Sequence, residues 1–143
     1  MKVRLALMVA ALWWGSLSAL VALVVPLLFA HLPTPALAGN VAARLFSAQT
    51  WVSVGCGMIL LLIFRSNSHQ PSVKWSFSAM GLIVGCVLLA LLVEFGVAPR
   101  IVARIDLRLW HGVGSALYFL QVLGTGALLW RLAGTDSSSR SGA

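Results

Sequence analysis

Four long apolar runs, parted by three short polar interruptions, take up nearly the whole chain. They cover residues 5–29, 41–64, 75–98 and 110–130, and each reaches the roughly 20 residues that an α-helix needs to cross a hydrocarbon core. The pattern predicts an all-α, polytopic membrane protein with four transmembrane helices in an up-down bundle, a single domain over residues 1–134. Residues 135–143 are rich in serine and lack apolar periodicity, so a disordered tail is expected there.

The interruptions carry turn chemistry. Pro26 lies in the last turn of helix one and Pro33 and Pro35 follow it, which predicts a proline-broken loop over residues 30–40. Pro71 interrupts the hydrophilic stretch 65–74. Residues 99–109 carry Arg100, Arg104 and Arg108 at four-residue spacing, which on a helical connection would set all three on one face. The basic start and Ala36-Leu37-Ala38 before Gly39 imitate a signal peptide. The first apolar run is longer than the roughly 7 to 15 residues of a signal h-region, however, so helix one is read as a retained span.

Polar positions inside the runs say which faces turn inward. Gln49, Ser53 and Cys56 lie at i, i+4 and i+7 and must point into the bundle, because lipid cannot satisfy an amide. Interhelical hydrogen bonding is the plain reason for them. Ser16 and Ser18 can bond back to carbonyls of their own helix. His111, Ser115, Tyr118 and Thr125 share one face of helix four. Small residues recur at Ala11, Gly15, Ala19 and Ala22, and Gly81 and Gly85 form a GxxxG pair, both marking expected close helix contacts.

Composition sharpens the class. Of 143 residues, 60% are hydrophobic and 9% charged, against about a quarter charged in soluble domains. The net charge of +7 would suggest nucleic acid in a soluble protein. Here the cations stand singly at segment ends, as topology determinants do, and no nucleic-acid partner is expected beside the lipid bilayer. Lys2, Arg4, Arg65, Lys74, Arg131 and Arg140 fall on the side of the termini, and Arg44, Arg100, Arg104 and Arg108 on the other. This excess puts both termini in the cytoplasm by the positive-inside rule. Cys56 and Cys86 sit within apolar runs as small hydrophobes. No CxxC, HExxH, GxGxxG, P-loop or GxSxG pattern occurs, so the expectation is a protein that is not an enzyme and carries no cofactor.

Connectivity gathers the polar groups on one membrane face. Arg44, Gln49, Glu94, Arg100, Arg104, Arg108, His111 and Ser115 are the candidate cluster for a ligand or partner, since ionisable groups within or beside a bilayer are functional candidates by default. Glu94, a turn before the expected end of helix three, is expected to meet Arg104 or His111 in one pocket. An alternative uses His31 and His111 as ligands to a haem or a copper ion. A third reading pairs Glu94 and His111 as acid and base beneath an arginine clamp for a lipid phosphate.

Several blocks together carry a resemblance: WWGS in helix one, VVPLLFAHLP with AG following, ARLFSAQTW opening helix two, VEFGVAPRI, and LWHGVGSALYFLQ in helix four. They span roughly residues 6–130. The chain resembles the bacterial domain of unknown function 4149 family, which is similar to the eukaryotic transmembrane protein 205. The resemblance implies a multi-pass protein of the bacterial inner membrane, with a histidine and a serine opening the last helix, here His111 and Ser115. It brings no established activity; the eukaryotic relatives are associated with resistance to platinum drugs. The expected function is that of a small helical bundle whose outward polar cluster binds a small ligand or docks another membrane protein. Homo-oligomerisation through the small-residue stripes is a further expectation.

Overall fold

The computed structural model describes residues 2–65 and 73–138. Its four spans, Val3–His31, Pro35–Arg65, Ser78–Val102 and Leu107–Gly134, are each long and apolar enough to cross a membrane. Each touches its neighbours in the chain, and the first closes the ring against the fourth. The up-down bundle is therefore as expected. Most of the loop at 65–74 and the end of the tail, residues 139–143, lie outside the described residues, while the last helix runs on through Ser138.

Helix ends depart from expectation at the prolines. The 30–40 loop shrinks to three residues, because Pro35 opens the second span instead of breaking it. Thr34 caps that helix: its Oγ1 accepts the Leu37 N–H at 3.2 Å and its carbonyl accepts Ala38 N–H at 3.1 Å. Proline suits a first helical position, where its missing N–H would have had no helical partner.

Pro26 and Pro99 are absorbed in a shared way. A π-helical segment, Leu20–Val24, ends two residues before Pro26, and a second, Leu92–Val97, ends two residues before Pro99. Proline cannot donate to the carbonyl four residues back, and its ring crowds that carbonyl. A wider π-turn gives the ring room without ending the helix. Helix three consequently continues to Val102, four residues beyond its expected end, and Glu94 lies about 6 Å deeper than its place in the sequence suggested.

The connection 99–109 is a helix end, not one amphipathic helix. Arg104 N–H donates to Ile101 O at 3.0 Å and Ile105 N–H to Arg100 O at 3.1 Å, the paired bonds of a Schellman motif. Arg104 occupies its left-handed position at φ 56, and Asp106 follows at φ 39 before Leu107 opens the fourth span. Arg100, Arg104 and Arg108 therefore do not share one helical face.

The core is built from Ala6, Ala10, Trp13, Leu17, Leu60 and Ile83, with Leu128 and Leu132 from the last span. Close helix contacts fall at Gly57, where a Cβ would stand 2.4 Å from Val87, at Gly124, 2.6 Å from Cys86 Sγ, and at Gly126, 2.9 Å from Trp14. The glycines singled out in the sequence are not among them. Gly15, Gly81 and Gly85 have open space where a Cβ would be, and Ala11, Ala19 and Ala22 are exposed. The seam of the first helix is instead Ala6, Ala10, Trp13 and Leu17, on the opposite side.

Candidate functional site

The candidate residues divide into two that the bundle encloses and six that it exposes. Gln49 is buried, Glu94 is half-buried, and Arg44, Arg100, Arg104, Arg108, His111 and Ser115 are exposed. On the fourth span, Gly114, Tyr118, Gln121, Thr125, Leu128 and Leu132 follow one inward seam. Ser115 lies about 100° round the helix from Gly114, which takes it off the seam. His111 stands in the second turn, and Trp110 beside it faces Arg100.

Glu94 is met from the second span. Ser47 Oγ lies 2.8 Å from Oε1 and 2.9 Å from Oε2, so a single hydroxyl faces both oxygens of the carboxyl. Among the described residues this hydroxyl, not Arg104 or His111, is the hydrogen-bond partner of Glu94. Arg100 turns back along its own helix, donating to Gly96 O, and its guanidinium lies 4.5 Å from the Trp110 ring centroid. That cation–π contact, typically worth about 0.5–1 kcal/mol at an exposed site, fastens the end of helix three to the start of helix four.

Beneath Glu94 runs a ladder of uncharged polar groups. Gln49 Nε2 donates to Ser16 Oγ at 2.9 Å, and Ser16 donates in turn to Trp13 O at 2.9 Å. Gln121 Nε2 donates to Ser53 Oγ at 3.0 Å, and Tyr118 Oη donates to Leu17 O at 3.1 Å. Gln49 and Ser53 thus do face inward and bond across helices, as the cost of an amide in lipid requires. Ser16 bonds back to its own helix as expected. Ser18 does not: its buried Oγ has no partner among the described residues. Ser47, Ser53 and Gln121 lie outside the candidate cluster; Ser53 and Gln121 are signalled in the sequence as polar residues well inside apolar runs, whereas Ser47 sits near the opening of the second run.

The ladder leaves a small cavity walled by Gln49, Thr50, Ser53, Tyr118 and Gln121. The cavity volume is about 10 Å³, room for about one water molecule. A haem or a drug-sized ligand needs hundreds of Å³. His31 Nδ1 lies 3.1 Å from Leu27 O, and both His31 and His111 are exposed. Among the described residues, no three side chains of histidine, cysteine, aspartate or glutamate come together in one group.

No curated protein and no solved structure matches the chain. A family model does match residues 8–108, from the first span through the Arg104 turn to the opening of the fourth helix. The part with that match holds Glu94, Ser47, both π-helical segments and all four candidate arginines, while His111 and Ser115 lie beyond it. The chain belongs to the family described as Domain of unknown function (DUF4149).

Proposed function

We propose that this protein is a non-enzymatic membrane module that docks an acidic segment of another membrane protein on the face where the 32–34 and 103–106 connections emerge. In this reading it resides in the bacterial inner membrane with both termini in the cytoplasm. The observation that carries the proposal is Arg104. The left-handed position that ends helix three is one where glycine is the usual occupant, and a side chain there costs roughly 1–2 kcal/mol. Strain of this kind is a pointer to function. Here it sets a cation at the apex of the connection, in sequence between the exposed Arg100 and Arg108.

The interior argues in the same direction. A ligand larger than water has no room in the polar cavity, so recognition by the candidate cluster is surface recognition. Exposed arginines offer paired donors suited to carboxylates. The Arg100–Trp110 contact holds the two helix ends that frame the turn, and the Glu94–Ser47 pair ties helix three to helix two below it. They position the docking face and do not touch the partner.

The test is photo-crosslinking in native membranes from probes at Val102, Ile105 and Leu109, with Arg104→Glu/Arg108→Glu beside the wild-type side chains. A discrete protein adduct that the charge reversals abolish is expected. Adducts to lipid alone, or protein adducts indifferent to both reversals, overturn the proposal.

A further inference from the structure

The cavity at the middle of the bundle is independent of the docking face and points to a site of its own. Gln49, Thr50, Ser53, Tyr118 and Gln121 bring polar groups to its wall, which Phe46, Ala90 and Val93 complete, and the hydrogen bonds around it are directional. Ser16 gives its one hydroxyl hydrogen to Trp13 O, so its oxygen can only accept from Gln49. That fixes the amide: the Gln49 N–H group faces Ser16 and its carbonyl oxygen is left over. Gln121 donates to Ser53 and likewise leaves its side-chain carbonyl unengaged among the described residues. Tyr118 and Thr50 spend their hydrogens on Leu17 O and Phe46 O, leaving lone pairs. Gln49 is 8% exposed and Gln121 2%, and neither side-chain oxygen is among the fully buried atoms that lack a partner, so each keeps a little surface that a water molecule can reach.

Buried carbonyl oxygens without donors are unfavourable by roughly 1–3 kcal/mol each, and a polar cavity with two to four partners is where a buried water resides. We infer that the cavity is a hydration site for one water molecule, which donates to the side-chain oxygens of Gln49 and Gln121 and so joins the second and fourth spans in mid-membrane. Thr50 is one helical turn from Ser47, and Val93 adjoins Glu94. The Glu94–Ser47 pair therefore stands on the connection side of the site, and the water exchanges past it. On the opposite side Leu60, Ile83 and Leu128 form a dry seal.

Water-edited solid-state NMR of the full-length protein in phosphatidylcholine bilayers, uniformly labelled with carbon-13 and nitrogen-15, reads this directly. Magnetisation is expected to pass from water to both the Gln49 and Gln121 side-chain amides. It should be lost in Val93→Ile or Ala90→Val, either of which narrows the cavity, with the rest of the spectrum preserved to show a folded bundle. Two variants guard against one that fails to fold. Transfer absent from both amides in the wild type, while exposed His111 shows it, overturns the inference. So does a shift of the two amides on adding ammonium at constant pH, which would assign the site to a small cation.

Discussion

The two halves of this bundle, divided near mid-membrane, hold together by different means. The half beside the termini is dry and close: Ala6, Ala10, Leu60, Phe64, Ile83, Leu128 and Leu132 interlock, and Gly57, Gly124 and Gly126 let neighbouring side chains approach closer than any Cβ would allow. The half beside the short connections is polar and looser, with hydrogen bonds from Ser47, Gln49, Tyr118 and Gln121, two π-helical segments and a water-sized cavity. Lipid supplies no hydrophobic drive for helices to associate, so contact distance and hydrogen bonds must do so. One half uses mostly the first and the other mostly the second. Rigidity thus belongs beside the termini, and adaptability beside the connections, where the candidate cluster lies.

The largest test of that contrast is Gly57→Ala. The added carbon would meet a branched Val87 that cannot rotate out of the way, and overpacking typically costs about 1–3 kcal/mol. Thermal unfolding in mild detergent, followed by tryptophan fluorescence, should show a clear loss. An unchanged midpoint would mean that the dry half yields as readily as the polar one. Ser47→Ala comes next. It removes the hydroxyl that faces both Glu94 oxygens, and an intramolecular hydrogen bond contributes about 0.5–1.5 kcal/mol net. The same assay should give about 1 kcal/mol, and Glu94→Gln/Ser47→Ala should be less than additive.

Arg104→Gly carries the opposite sign. Glycine adopts the left-handed turn without strain, so the bundle should gain roughly 1 kcal/mol while adducts from the docking face weaken. Stability gained with docking intact would show the strained arginine to be incidental. The two readouts separate a structural turn from one retained for its charge.

How much of this could be read from the chain follows from the range of each signal. The four spans were legible because hydropathy belongs to single residues summed over a window, and Gln49 and Ser53 because an amide in lipid can face only one way. The helix ends were not: Pro26, Pro33 and Pro35 point to a broken loop and the apolar run of helix three to a stop at residue 98, whereas Pro26 and Pro99 follow π-turns within continuing helices and Pro35 begins a helix. Arg100, Arg104 and Arg108 read as a stripe because nothing between them, no glycine above all, announces a left-handed turn. The pairing of Glu94 with Ser47 joins positions on two separate helices and depends on the rotation of each about its axis, which a run of apolar residues leaves open.

Rotation also decides the smallest effect, and the one that probes what lies outside the bundle. Gly81 and Gly85 have the spacing of a close-contact pair, yet among the described residues no atom comes near a would-be Cβ at either position. If lipid alone covers that face, alanine at both positions should change stability by no more than about 0.5 kcal/mol, as substitutions away from packed features do. Size-exclusion chromatography with light scattering in mild detergent should likewise give the same mass for variant and wild type. A loss of stability with a fall in mass would mean that another copy of the chain fills the space. The outward glycines would then belong with Gly57 and Gly124 as close-contact positions, and the dry mode of packing would extend beyond one bundle.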